Sequence, residues 1–194
     1  MNKMLLDIPI RFEADRLILR RYEPGDGPMY FAVGQKNRQH LQPFEAGNII
    51  LSAKSLEEAE IIVRELSVDW IARNSFFMGA FDKKTLEFIA QIYVGVVNWE
   101  LPEFEIGYFV DVDHQGRGYV TEAVKAALGF IFDNLHAQRV CLHTRDTNLP
   151  SQHVAERCGF TLEGHIRENK RDKDGSVSGD LYYGLLKREY NAPT

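Results

Sequence analysis

The chain has 194 residues, 44% hydrophobic and 26% charged, which suits a single soluble domain with a sizeable core. Its formal net charge of -5 argues against wholesale binding to a nucleic-acid backbone, and no apolar run approaches membrane-spanning length. Asp7 and Pro9 interrupt the short apolar segment near Met1, so no secretory signal is read there. Cys141 and Cys158, with no C-x-x-C, read as free thiols of a cytoplasmic protein.

Arg16 to Arg21 alternates as a first strand, and Pro24-Gly25-Asp26-Gly27 stops it with turn chemistry. A helix follows through Met29, Phe31, Ala32 and Val33. The stretch from Asn37 to Lys54 has no clean period and contains Pro43 and Gly47. It is expected to be irregular and a place for substrate contact. Ser55-x-x-Glu58 is a capping box opening a helix whose apolar face is Leu56, Ala59, Ile62, Val63, Leu66 and Trp70. Two strands, Phe76 to Phe81 and Leu86 to Trp99, join at a hairpin over Asp82 to Thr85.

The most informative stretch follows. Phe104, Ile106, Tyr108 and Val110 alternate as a strand, Gln115-Gly116-Arg117-Gly118 is a glycine loop, and Val120, Val124, Ala127, Leu128, Ile131 and Leu135 recur at helical spacing. Such a loop presents unpaired N–H groups at a helix start, where a phosphate binds well. Gln138 to Thr144 reads as the next strand, so it should lie parallel to the Phe104 strand in a βαβ unit. Asn148 to Cys158 is a short helix with Asn148 or Ser151 as cap, Pro150 at its start and Gly159 at its end. Phe160 to Arg167 and Val177 to Leu186 form a last hairpin with a charged, mobile tip at Asn169 to Gly175.

A P-loop kinase is excluded because no Lys-Ser or Lys-Thr follows Gly118. A dinucleotide fold would carry a third glycine and place its loop early in the domain. The segment Gln115 to Ala123, with Glu105-Ile106-Gly107-Tyr108 before it, resembles the acetyl-CoA loop of the GNAT N-acetyltransferases. Asn148-x-x-Ser151, then Cys158-Gly159-Phe160-x-x-Glu163-Gly164, and finally Asp180 with Tyr182 and Tyr183, resemble the RimJ/RimL branch from roughly Arg16 to Tyr190. Pro150 stands where that branch usually has a small residue.

The resemblance implies an α/β (α+β) fold: a mixed, mostly antiparallel sheet of about seven strands with about four helices, splayed between two parallel central strands. It implies acetyl-CoA as co-substrate, its pantetheine arm on backbone near Phe109, Val110 and Asp111, and its pyrophosphate on amides of Gln115, Gly116, Arg117, Gly118, Tyr119 and Val120. Asn148 would bond the pantetheine arm, and Ser151 would hydrogen-bond the leaving sulfur; the plain alternative for each is a helix cap. Glu105 is a candidate base or a glutamate paired across the sheet. Glu168 is a second candidate or a solvated strand end, and water could relay the proton. His114 could approach phosphate or sit solvated in a turn. No H-x-x-x-H or Cys/His cluster points to a metal.

The expected reaction is direct acetyl transfer to a primary amine in a ternary complex. The acceptor is either a protein N-terminal α-amine, as the resemblance implies, or a small amine such as a polyamine or an antibiotic. A catalytically idle CoA-binding sensor or scaffold is the rival of another class. No nucleic-acid or membrane partner is expected, and the resemblance includes dimers.

Overall fold

A computed structural model describes residues 2–171 and 175–190. Along the chain run β1 (Arg11–Glu13), β2 (Leu17–Arg21), α1 (Gly27–Glu45), α2 (Leu56–Ala72), β3 (Ser75–Asp82), β4 (Phe88–Asn98) and β5 (Glu103–Val110). Then follow α3 (Tyr119–Gly129), β6 (Arg139–Arg145), α4 (Leu149–Arg157), β7 (Thr161–Arg171), β8 (Val177–Leu186) and α5 (Lys187–Tyr190). The strands form one sheet in the order β1-β2-β3-β4-β5-β6-β8-β7. Every neighbouring pair is antiparallel except β5 and β6, the two strands of the predicted βαβ unit. Part of the expected tip of the last hairpin, 172–174, lies outside the described residues.

Two apolar layers hold the sheet. One face packs Phe76, Met78, Ile92, Val94, Phe104, Ile106 and Val140 against Ala123, Val124, Ala127 and Leu128 of α3. The period-two and period-3.6 patterns meet there, as binary patterning requires. The other face packs Phe81, Phe88 and Phe109 beneath Tyr30, Val33 and Leu41 of α1 and Ala59, Val63 and Leu66 of α2. Both cysteines are free and buried.

Three expectations need correction. The segment from Asn37 is not irregular: α1 runs to Glu45, through Pro43, and a 3₁₀ turn at Ile49–Leu51 follows. The buried residues Tyr30, Val33, Gly34, Asn37 and Leu41 show the helical period, but two of them are Gly and Asn, which an apolar pattern does not count. Second, the helix expected to run on to Leu135 changes to a π turn over Phe130–Asn134. Third, the box at Ser55 is half formed. Its hydroxyl accepts from the Glu58 amide at 3.1 Å, while the Glu58 carboxylate accepts from the Lys54 amide at 2.8 Å.

Gly34 marks the close approach between α1 and the 3₁₀ turn, because a Cβ there would lie 2.3 Å from the Ile50 carbonyl oxygen. Gly34→Ala must therefore push the helix off that turn, a backbone shift costing about 1–3 kcal/mol. A thermal melt should show a lower midpoint, whereas an unchanged midpoint would mean that the approach is looser than this.

Candidate active site

The site begins where β5 and β6 part. They pair in register only at Glu103, Phe104 and Glu105 with Arg139, Val140 and Cys141. From Ile106 to Val110 the β6 side of β5 has no strand beside it, while β4 remains paired on the other side. In an antiparallel pair alternate residues turn N–H and C=O to the far side, so β5 offers backbone groups to the gap. The gap is a cleft of about 1220 Å³. Its walls include Ile106 to Val110 of β5, Leu142 to Arg145 of β6, Asn148, Ser151 and Val154 around α4, and His40, Leu41, Pro43, Phe44 and Glu45 of α1.

At one end of the cleft stands the glycine loop. Gly116 and Gly118 take φ of 71° and 75°, the left-handed region that glycine enters without a Cβ clash. Gly118 is the N-cap of α3. Among the described residues, no protein acceptor takes the amides of Gln115 to Thr121; the first bond into the helix runs from the Glu122 amide to the Gly118 carbonyl, 3.1 Å. These donors sit at the positive end of an eleven-residue helix, a ready anion cradle. Glu122 in that first turn would repel a phosphate, but Arg16 neutralises it, with its Nε 2.6 Å from Oε2 and its backbone amide 2.6 Å from Oε1. Arg16 also donates to the Arg117 carbonyl at 3.2 Å and lies over the Tyr119 ring.

At the base of the gap, the Tyr108 and Ser151 hydroxyls lie 2.9 Å apart. Burial pushes the Tyr108 phenol well up, so it keeps its proton at neutral pH. The Ser151 amide donates to the Asn148 Oδ1 at 3.3 Å, which caps α4. The Asn148 Nδ2 donates to no protein group among the described residues, so capping leaves it available to a ligand.

Glu45, at the end of α1, is half-buried in the cleft wall. Burial raises its pKa; the bond from Asn48 Nδ2 (3.3 Å) opposes this, and repulsion from Glu105 adds to it. A carboxylate held this way is a poised proton acceptor.

Of the sequence-predicted residues, Phe109, Val110, Gln115, Gly116, Gly118, Tyr119, Val120, Asn148 and Ser151 line the cleft together. Glu105 is not among its lining residues; it sits on β5 with a carboxylate oxygen 3.5 Å from His143 Nδ1, and His143 does line the cleft. Arg117 offers its carbonyl to Arg16 and does not line the cleft. Asp111 lies behind the loop and is 2% exposed. Burial pushes its carboxyl up, but bonds from Lys36, Asn37 and the Asp113 amide pull it below the ordinary value. Glu168 is exposed on β7, at φ 54°, and is not brought to the cleft. His114 is not solvated as one reading had it: its side chain is 15% exposed, between Asp111 and Tyr119.

Sequence reasoning missed Glu45 and the pairing of Tyr108 with Ser151. Nothing local marked Glu45, which fell in the stretch read as irregular. Tyr108 reads in the sequence as a strand residue of the motif before the glycine loop, and nothing local marks its pairing with Ser151. Neither cysteine is activated, since burial pushes both thiols up to about 11. Among the described residues no His, Cys, Asp or Glu group could hold a metal ion, and no helix is long and apolar enough to cross a membrane.

An anion cradle opening into a slot between splayed parallel strands suits an elongated ligand that carries phosphate. Residues 16–161 match the acetyltransferase (GNAT) domain family, and the chain belongs to that family of acetyl-CoA-dependent N-acetyltransferases. It is 25% identical over 175 residues to the [ribosomal protein uS5]-alanine N-acetyltransferase of Escherichia coli (strain K12), covering 82% of each chain. It is 26% identical over 153 residues to the spermidine N(1)-acetyltransferase of Vibrio cholerae, covering 79% of this chain and 83% of the relative. The fold matches RimL, the ribosomal L7/L12 alpha-N-protein acetyltransferase solved with coenzyme A, with a TM-score of 0.79 at 21% identity, over 92% of this chain and 97% of that one.

Gly118→Glu places a carboxylate in the cradle on a φ of 75° that only glycine adopts freely. Calorimetry should show loss of acetyl-CoA binding with the fold retained. Binding at wild-type affinity would remove the loop from the cofactor site.

Proposed function

We propose that this protein transfers an acetyl group from acetyl-CoA directly to the α-amine at a protein N-terminus. Acetyl-CoA supplies the activated acetyl thioester. The chain's own residues do the rest. The amides of Gln115 to Val120, Arg117's included, hold the diphosphate, while the open edge of β5 at Phe109 and Val110, with Asn148, aligns the pantetheine arm; Asp111, its amide fixed to the Ile89 carbonyl, stays behind the loop. Glu45 accepts a proton from the incoming ammonium, directly or through water, so that the nitrogen attacks as a free amine. Glu105 adds negative charge beside it, while Glu168, exposed on β7 away from the cleft, is left a secondary candidate. As the C–N bond forms and the C–S bond breaks, the Tyr108–Ser151 hydroxyl pair delivers a proton to the departing sulfur, and the second proton shed by the nitrogen returns to that pair through water.

The observation that carries this reading is the meeting of Glu45 and the Tyr108–Ser151 pair in one cleft, with the unbonded loop amides at its other end. A peptide is favoured as acceptor by the shape of the trough's far side. α1 and α2 cover the sheet at β2 to β5, whereas His143 of β6 is exposed and β7 is exposed along nearly its whole length. A chain can leave the cleft on that side. The ribosomal-protein activity of the uS5 relative supports the same choice. The two carboxylates would also suit a polyamine, the acceptor of the spermidine relative. The deciding assay offers peptides with free or blocked N-termini, and spermidine, to the purified protein with acetyl-CoA. Turnover on free N-termini that blocking abolishes is expected; turnover on spermidine alone would overturn the peptide reading.

Glu45→Gln tests the proton acceptor. It should lower kcat about 100-fold while leaving the KM for acetyl-CoA in place. In the wild type the rate should fall as pH drops through the raised Glu45 pKa, and the variant should lose that dependence. Stability should move the other way. A carboxyl whose folded pKa is raised contributes stability below the ordinary glutamate value and loses it as pH rises through the folded pKa. Above the folded pKa the wild type therefore bears the full cost of burying the charge, and the variant should melt higher there. A wild-type kcat and pH profile in the variant would take Glu45 out of the reaction.

Ser151→Ala and Tyr108→Phe should each lower kcat about 10-fold or more, with less loss when the acyl donor has a leaving thiol of lower pKa. Equal losses for both donors would place the hydroxyl pair outside the leaving-group step.

A further inference from the structure

Asn37 is fully buried on α1, and every polar atom of its side chain is engaged. Its Nδ2 donates to the Val33 carbonyl at 3.0 Å and to Asp111 Oδ2 at 2.9 Å, and its Oδ1 accepts from the Val112 amide at 2.8 Å. The neighbouring Lys36 places its Nζ 2.7 Å from Asp111 Oδ1 and 2.6 Å from Asp113 Oδ2. Asp111 Oδ1 also accepts from the Asp113 amide at 3.1 Å and stands 3.3 Å from His114 Nδ1. The Asp111 amide itself is fixed to the Ile89 carbonyl at 2.8 Å.

These bonds seize the chain at the last point before the glycine loop. Val112–His114, capped by Asp111, is the 3₁₀ turn that hands β5 over to Gln115. None of Lys36, Asn37, Asp111 and Val112 lines the cleft, so the network acts from behind. The loop beyond it has two left-handed glycines and amides without protein partners, and so little of its own to hold its direction. A buried polar network satisfied at every atom fixes a single geometry, and breaking it leaves costly orphans.

Resting on the function proposed above, we infer that Asn37, acting through Asp111 and Val112, is a positioning residue that aims the loop amides at the diphosphate of acetyl-CoA. It touches neither donor nor acceptor. Its contribution is preorganisation: the cradle stands ready before the ligand arrives, so binding need not order it.

The test exchanges the amide and the carboxylate. Asn37→Asp sets two carboxylates against each other and removes a donor. Asn37→Asp combined with Asp111→Asn restores a donor–acceptor pair with the roles reversed, while the carboxylate at position 37 still accepts from the Val112 amide. Calorimetry with acetyl-CoA, steady-state kinetics and thermal melts are read on all forms. The single variant should bind acetyl-CoA about tenfold more weakly, with KM for acetyl-CoA raised more than kcat is lowered, and the exchange should recover most of that loss. A purely structural role would lower the melting midpoint and leave acetyl-CoA affinity alone; that result overturns the inference, as does a loss that the exchange fails to repair. If Asn37→Asp does not fold, Lys36→Met, which cuts the exposed arm of the network, carries the test. Affinity weakened about threefold supports the inference and unchanged affinity overturns it. Absence of acetyl-CoA binding by the wild type would instead strike the functional reading itself.

Discussion

Everything in this molecule follows from two parallel strands that hold each other for three residues and then let go. Up to Glu105 and Cys141, β5 and β6 close the sheet. Beyond them the backbone of β5 needs partners that no strand supplies, and a buried peptide group without a partner is expensive. The cleft resolves this by presenting that edge to a ligand. The α3 N-terminus stands beside the same opening, so one gap offers a chain of donors and acceptors that ends in a phosphate cradle.

The surroundings serve that gap. Arg16 cancels Glu122 at the helix start and bonds the Arg117 carbonyl, so the cradle stays electropositive. α4 brings Asn148 and Ser151 to one wall of the cleft, and α1 brings Glu45 to another. Gly34 lets α1 settle against the 3₁₀ turn, which also carries the Asn48 partner of Glu45 at its cap. The cleft wall that carries Glu45 and the back of the glycine loop are therefore built on one helix, with Asn37 and Glu45 two turns apart.

The strand–loop–helix from Phe104 to the end of α3 was legible because its signals are local: alternation, paired glycines, then helical spacing. The parallel pairing of β5 and β6 followed from the handedness and length of that connection. The missed parts depend on contacts made far along the chain. β1 is a three-residue edge strand, Arg11-Phe12-Glu13, with no pattern to read. The second half of α1 hides its buried face behind Gly34 and Asn37, whose reasons for burial are the Ile50 carbonyl and the Asp111 carboxylate. Pro43 spoke against a helix, yet near the C-terminal end its missing N–H costs a single bond. Glu45 became visible only when that helix was seen to reach the cleft. Glu105 and Glu168 were chosen by strand position, and the parting of the sheet decides which carboxylates face the gap.

The central claim is that the amides from Gln115 to Thr121 are free in the protein alone and become bonded when acetyl-CoA binds. Amide hydrogen exchange measured residue by residue, with and without acetyl-CoA, tests it most directly. Rapid exchange across these positions in the free protein, and strong slowing confined to them and to the open edge of β5 in the complex, is the predicted result. Amides already protected in the free protein, or unchanged on saturation with acetyl-CoA, would contradict the account.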